Sequence, residues 1–371
     1  MAYNTGVTNT FNAYGQKGKK LSFANWISNI SPEETPFVSL TGKESIDQVQ
    51  FTWQVDSLAK ANAGNAQAEG FLASPADTLA PTTEIQNNTQ LLAKVISVSD
   101  TANATANYGR GRELMYQLEK AGAEIKRDLE AVFLNNGVAV PFGSTNSVGG
   151  ASATPRKTGG VRALIGRNTG TLTVNAPTGH DGLAPDSDFG AVVVKDVVAV
   201  GTGIIDDGAF ESALWDITSQ LYLAGAKANT IMVHPSLAVQ FSKLLEVQGS
   251  VGGLSGTGGN RMRMFENRKD IDVQVNVVTD PLGQKFRVIY NRHMPITKVG
   301  TDLTQPIDDA DRQASVFIFN SADWTQMVLR APQRTELAKQ GDSTQYMITM
   351  ETGLRHRNPY ASAWLTFSPK P

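Results

Sequence analysis

The chain contains no cysteine. That removes disulfides, zinc–thiolate centres and thiol catalysis together, and a reducing cytosol is the expected place of synthesis. Long apolar runs are also missing: nowhere do about 18 apolar residues follow one another, so no membrane-spanning helix is expected. Met1 to Lys20 lacks the apolar centre of a signal peptide. Charge is scarce. Asp, Glu, Lys and Arg make up 18% of the 371 residues and sum to a net charge of −2. A dedicated nucleic-acid binder carries a basic excess that displaces counterions from phosphates, and none is present here. The places of the missing charges are taken by Asn, Thr, Ser, Gly and Ala, a composition that suits a surface covered by neighbours. It equally fits a plain neutral soluble protein.

Catalytic constellations are absent as well. The four histidines, His180, His234, His293 and His356, form neither an HExxH motif nor an i,i+4 pair. GQKGKK at Gly15 to Lys20 lacks the spacing and hydroxyl of a phosphate-binding loop, and GTGGN from Gly256 is not a dinucleotide fingerprint. Asp308, Asp309 and Asp311 lack the glycine and distal Glu of a calcium loop, and there is no GxSxG elbow. YGRGR at Tyr108 to Arg112 stands before a helix and reads either as an anion-holding turn or as a tight turn. Arg261, Arg263, Arg268 and Lys269 are diluted by Glu266, Asp270 and Asp272, which fits a solvated loop or a subunit contact. No enzyme, cofactor or metal is indicated.

What is present is a succession of unlike parts. Residues 1–20 read as an extended polar arm. Leu21 to Thr41 carries Trp26, Ile27, Ile30, Phe37, Val38 and Leu40, too short a stretch to make its own core. Ser31 to Glu34 resembles a helix start that Pro36 cuts off within a turn. Val49 to Val55 alternates strictly, with Val49, Phe51, Trp53 and Val55 on one face of a strand. A second strand runs over Leu91 to Val98, with Leu92, Lys94, Ile96 and Val98 on one face and Leu91, Ala93, Val95 and Ser97 on the other. The weakly charged stretch Asp56 to Gln90 between them, with Glu69, Phe71, Leu72 and Leu79, reads as a projecting hairpin-like loop.

Gly111 to Asn135 is a helix by periodicity. Leu114, Leu118, Ala121, Ile125, Leu129, Val132 and Phe133 form one apolar stripe, Lys120–Glu124 and Lys126–Glu130 have pairing distance, and Asn136-Gly137 is the stop. Its length is roughly 36 Å, that of a spine packed on a sheet. Loop or short strands are expected over Gly143 to Asp188. Helices follow at Gly208 to Ala224 and Ser236 to Val247, and strands at Thr230 to Val233, Val273 to Val278 and Phe286 to Tyr290. This is an α/β unit. Ser315 to Phe319, Met327 to Arg330, Gln345 to Thr352 and Ala361 to Phe367 close the chain as strands, with a turn at Asn358-Pro359.

That order of parts resembles the major capsid protein family of tailed bacteriophages, the Hong Kong ninety-seven fold. The wording resembles one subfamily at NISPEETPF (Asn29 to Phe37), FTWQVDSL (Phe51 to Leu58), Glu69-Gly70 and NTQLLAKVISVSDTA (Asn88 to Ala102). GRGRELMYQLEKAGAEIKRDLE (Gly109 to Glu130), LAKQGDSTQY (Leu337 to Tyr346) and RNPYA (Arg357 to Ala361) resemble it too, and Glu124 to Asp128 keeps its Glu-Ile-Lys-Arg-Asp pattern. The likeness is weakest over Ser144 to Asp207 and Gly249 to Arg268.

The resemblance implies an α+β fold: an N-terminal arm (1–48), an extended loop (49–100), a peripheral domain with a spine helix at 111–135 and a variable region (101–204), an axial domain (205–304), and a return to the peripheral domain (305–371). It implies a non-enzymatic shell subunit that forms pentamers and hexamers of itself around packaged double-stranded DNA, without sequence-specific binding and without a membrane. It also implies a separate scaffolding protein, a portal protein, a cement protein in some relatives, synthesis in the bacterial host cytoplasm and residence in the virion. On this reading Trp26, Phe37, Trp53, Glu69, Phe71, Leu72 and Leu79 contact neighbouring subunits, while Leu114, Leu118, Ile125, Leu129 and Phe133 form the spine's core face. Some relatives cross-link neighbours through Lys and Asn, and no residue here matches that site. The alternatives are an encapsulin-like compartment shell or an accessory shell protein of the same fold, and, from another class, an unrelated enzyme.

Overall fold

The structure, a computed structural model, describes residues 34–56, 63–71, 82–105, 111–137, 139–140, 155–165, 194–197, 207–238, 241, 246–248, 261–263, 276–295, 314–339 and 341–367. In chain order the elements are α1 (Pro36–Leu40), β1 (Gly42–Ser45), β2 (Gln50–Val55), β3 (Thr83–Asn88), β4 (Gln90–Ser99), α2 (Asp100–Ala104) and α3 (Glu113–Asn135). There follow α4 (Val161–Leu164), β5 (Val194–Val197), α5 (Asp207–Leu223), β6 (Thr230–Val233), β7 (Glu246–Gln248), β8 (Arg261–Arg263), β9 (Val277–Thr279) and β10 (Lys285–Tyr290). β11 (Ala314–Phe319), β12 (Trp324–Glu336), β13 (Ser343–His356) and β14 (Ala363–Phe367) complete the chain. The mixture is α+β.

Two sheets organise these elements. One has four strands in the order β1-β12-β13-β4, the other six in the order β5-β14-β11-β6-β10-β9. The last strands of the chain are divided between them: β12 and β13 lie in the first, β11 and β14 in the second. Among the described residues β2 pairs with β3 alone, and β7 with β8 alone, as two-stranded ribbons.

The spine helix α3 buries Leu118, Ile125, Leu129 and Phe133, with Leu114 half-buried at its start. Its stripe lies against β4, where Lys94 reaches Asp128 at 3.0 Å and Glu124 at 3.6 Å. The expected partner of Lys126 is engaged elsewhere: Glu130 is fully buried, because three N–H donors from other elements converge on it. The helix ends where expected, by a different device. Asn136 is extended rather than left-handed, and its side-chain Nδ2 donates to Gln90 Oε1 and Thr158 O, each at 2.9 Å. Gly160 packs so closely there that a Cβ would lie 2.2 Å from the Asn136 carbonyl oxygen.

Four local expectations are corrected. Pro36 opens α1 instead of ending a helix, since its fixed φ suits the first turn and its missing N–H would have no intrahelical acceptor there. The stretch between the two expected strands contains β3, and β3, not the strand at Leu91 to Val98, pairs with β2. β4 crosses instead to β13. The expected helix Ser236 to Val247 opens with a 3₁₀ turn at Pro235–Leu237 and is helical at Ala238 and Phe241, but it does not reach Val247: Glu246 and Val247 lie in β7. β12 and β13 run well beyond the apolar segments that announced them, with register shifts between Val328 and Gln333, next to Pro332, which has no N–H to give the ladder.

Phe37 marks the centre of the core. Its ring lies 6.4 Å from Phe133 of the spine, 5.9 and 5.8 Å from Phe317 and Phe319 of β11, and 5.9 Å from Trp324 of β12. Spine and both sheets thus meet on one side chain. Next to it Trp324 stacks on His356 at 4.0 Å, while Ser362 Oγ accepts from Trp324 Nε1 and lies 3.0 Å from His356 Nε2. His356 Nδ1 faces the Leu164 carbonyl, which can only accept. Nδ1 therefore carries the proton, and the Ser362 hydroxyl donates to Nε2.

Candidate assembly interface

The β2–β3 hairpin has a fixed base and an exposed tip. At the base, Phe51, Val55 and Ile85 are buried, and Phe51 stacks on Trp53 at 6.0 Å. Asn87, 1% exposed, donates from Nδ2 to the Leu354 carbonyl at 2.6 Å and accepts from Gly159 N at 2.8 Å. One side chain thereby ties β3 to β13 and to the segment leading into α4. Beside it Glu351, 3% exposed, is clasped by Arg156 and by Arg330 Nε at 3.0 Å, and accepts from Thr89 Oγ1 at 3.0 Å. A buried carboxylate held by two guanidiniums and a hydroxyl makes the base costly to distort.

The tip is the reverse. Residues 63–71 are all exposed, with Phe71 at 59% and Glu69 the one charge among them. Gly70 takes a left-handed conformation at φ +83°, closing a turn in which Phe71 N donates to Ala68 O.

A second exposed apolar surface lies on the four-stranded sheet. Lys94 faces the spine, so the alternate residues of β4 face away from it. Of these Leu91 is 49% and Val95 61% exposed. Their register partners on β13 are Glu351 for Leu91, Thr349 for Ala93, Met347 for Val95 and Gln345 for Ser97. The face is therefore neutral and half apolar except at its Glu351–Arg330 end. β4 is also an edge strand.

The residues expected at subunit contacts separate into three groups. Glu69 and Phe71 are exposed on the hairpin tip. Phe37 is a correction: it is fully buried within its own subunit, because the ring cluster at the spine leaves it no solvent face. Trp53 is half-buried, packed on Phe51 of its own hairpin. Trp26, Leu72 and Leu79 lie outside the described residues. Sequence reading missed Leu91, Val95 and Met347 as a surface, although the two-faced apolar alternation of β4 was the signal for it. It missed Glu130 and Asn87 altogether, since nothing local marks a polar residue whose anchoring partners are 72 to 267 positions away.

Among the described residues catalytic groups do not converge. An open cleft of about 550 Å³ between β4, α2 and the start of α3 holds a single titratable side chain, Glu113. Among the described residues no group of His, Asp and Glu could hold a metal, and no helix is long and apolar enough to cross a membrane. Asp308, Asp309 and Asp311 lie outside the described residues. The shifted groups serve structure. A hydrogen bond to Asp128 raises the Lys94 ammonium, burial raises the Glu130 carboxyl against three donated hydrogen bonds, and burial lowers His234 and His293.

Comparison with known proteins gives this arrangement its meaning. The family described as SU10 major capsid protein matches residues 4–368. The major capsid protein of Escherichia phage Phieco32 is 46% identical over 366 residues, covering 96% of each chain. Among solved structures, the capsid of a native GTA particle superposes with a TM-score of 0.59 at 11% identity, covering 96% of this chain and 97% of that one. The capsid of cyanophage P-SCSP1u gives 0.54 at 13% identity, covering 97% and 95%. These likenesses establish the fold, and the family match sets aside the compartment-shell, accessory-shell and enzyme alternatives. The chain belongs to the SU10 major capsid protein family: it is a structural, non-enzymatic subunit that assembles with its own copies into the capsid shell of a phage virion.

Proposed function

We infer that the hairpin tip is the part of the subunit that laps a neighbour, and that it seats on the neighbour's uncovered sheet face. The observation that carries this is the contrast along one hairpin: a base held by Asn87 and Phe51, and a tip that leaves Phe71 59% exposed. Ordering a loop costs about 1–2 kcal/mol per residue, and the tip has no burial of its own to offset it. The face carrying Leu91, Val95 and Met347 offers apolar area, and its Arg330 end offers a guanidinium to Glu69. Arg330 and Leu91 lie on either side of Glu351 in register. That places them about 10 Å apart at the spacing of adjacent strands, a span that side chains two residues apart on the tip can bridge.

Within the same reading, residues 1–48 form the arm, 49–100 the extended loop, and 205–304 the unit nearest the capsomer axis. Pentamers and hexamers close an icosahedral shell around double-stranded DNA, which is held without sequence recognition. Scaffolding protein guides assembly in the host cytoplasm, and portal and cement proteins complete the partners. Replacing Ala59 to Pro81 by a short Gly/Ser linker spares β2 and β3. The variant should keep the thermal unfolding of the subunit and yield no closed shells when co-expressed with its scaffold. Normal shells by sedimentation and electron microscopy, or an unfolded subunit, would count against this role for the loop.

A further inference from the structure

Glu130 lies where three distant pieces of the chain meet. α1 lies within the N-terminal arm, and its first turn leaves the Phe37 and Val38 N–H groups without intrahelical acceptors. Thr35 before it makes no side-chain cap. The Glu130 carboxylate of the spine takes that role across 93 and 92 positions: Phe37 N donates to Oε1 at 2.9 Å and Val38 N to Oε2 at 2.8 Å. A third donor arrives from the end of β10, where Asn291 Nδ2 reaches the same Oε1 at 2.6 Å. Glu130 is 0% and Asn291 1% exposed. All three partners are donors, and the carboxylate is their shared acceptor.

Asn291 is positioned on its other side as well. Its Oδ1 accepts from His293 N at 2.9 Å, and its own N–H donates to Val233 O of β6 at 2.9 Å. The Asn291 amide therefore connects the six-stranded sheet to Glu130, and Glu130 connects it onward to α1 of the arm.

We propose that Glu130 is a relay between the N-terminal arm and the six-stranded sheet, through which the seating of α1 and the position of the Asn291 loop stabilise one another. If α1 is displaced, the buried carboxylate keeps one donor of three and draws differently on Asn291. If Asn291 is displaced, the carboxylate holds α1 with one partner fewer. Such coupling is reciprocal by thermodynamic necessity. In a shell, where an arm engaged by another copy is loaded from outside, this makes arm engagement and sheet position interdependent. The arm's engagement rests on the function proposed above, whereas the coupling is a property of one folded subunit and is tested there.

The experiment is amide exchange by NMR or mass spectrometry on the full chain. Asn291→Ser removes the far donor without touching α1. It should accelerate exchange at Phe37 and Val38 by about tenfold, the loss of one charge-assisted hydrogen bond, and leave β4 unchanged. Pro36→Gly loosens α1 from the other side and should accelerate exchange at His293, whose N–H reports the Asn291 side chain. In a Glu130→Gln background each variant's effect at the distant site should shrink. If Asn291→Ser leaves Phe37 and Val38 unchanged, or speeds β4 equally, Glu130 is an anchor and no relay. Should that variant not fold, Pro36→Gly decides alone: unchanged exchange at His293 overturns the proposal.

Discussion

The ring of Phe51 lies on the bare backbone of Gly353: a Cβ at 353 would fall 2.5 Å from Cε1 and 2.8 Å from Cζ. β2 can cross β13 at this separation only because residue 353 has no side chain. Gly353→Ala should force the hairpin base away from the sheet and destabilise the subunit by about 1–3 kcal/mol, the usual cost of overpacking. Chemical denaturation of the variant checks this, and a pairing change Gly353→Ala with Phe51→Leu should recover part of the loss.

Replacing Ile125 or Leu129 by Asp places a charge on the buried stripe of the spine, where the native residues are 4% and 3% exposed. The lost burial and the stranded carboxylate should together cost several kcal/mol and unfold the subunit rather than merely weaken assembly. A soluble variant with unchanged thermal unfolding would show that the stripe is not core.

The spine was legible in the sequence because one residue in every three or four repeats the same physical demand over 23 residues. The strands β6, β10 and β11 were legible for a similar reason, as short dense apolar runs. β3 was not. TEIQNN has one strongly apolar residue, Ile85, and its strand character comes from β2 alongside it and from the partners of Asn87. Phe37 could be read as apolar but not assigned to a surface or a core, because its neighbours Phe133, Phe317 and Trp324 come from three later segments. Glu130 looked like an ordinary exposed partner for Lys126. Only the folded chain places two backbone N–H groups in front of it.

Acid should weaken the subunit partly through His234. Burial lowers its pKa, so the folded state prefers the neutral ring that accepts from Ser236 N. The stability tied to that preference is complete above the unfolded value of about 6.5 and is lost as pH falls through the lowered folded value. Asn at this position keeps a capping oxygen without a titrating ring. His234→Asn should therefore flatten the decline in Tm between pH 7 and pH 5. Glu130 acts in the opposite sense: burial raises its pKa, so its contribution is lost as pH rises through the folded value. An unchanged slope in the variant would exclude His234 as a source of acid sensitivity.

Shells should dissociate to a single band near the 39.8 kDa chain mass on boiling in detergent, with or without reductant. The absence of cysteine excludes disulfide links. A ladder of heavier bands would instead reveal Lys–Asn cross-links between neighbours.

The central claim is that the hairpin tip is completed by another copy. Hydrogen exchange across residues 63–71, compared in the free subunit and in purified shells, tests it most directly. Exchange should be fast in the free subunit, where Phe71 and its neighbours are exposed, and slow in the shell, with a matching gain of protection at Leu91 to Val95 and Met347. Exchange equally fast in both states, or already slow in the free subunit, would contradict the claim.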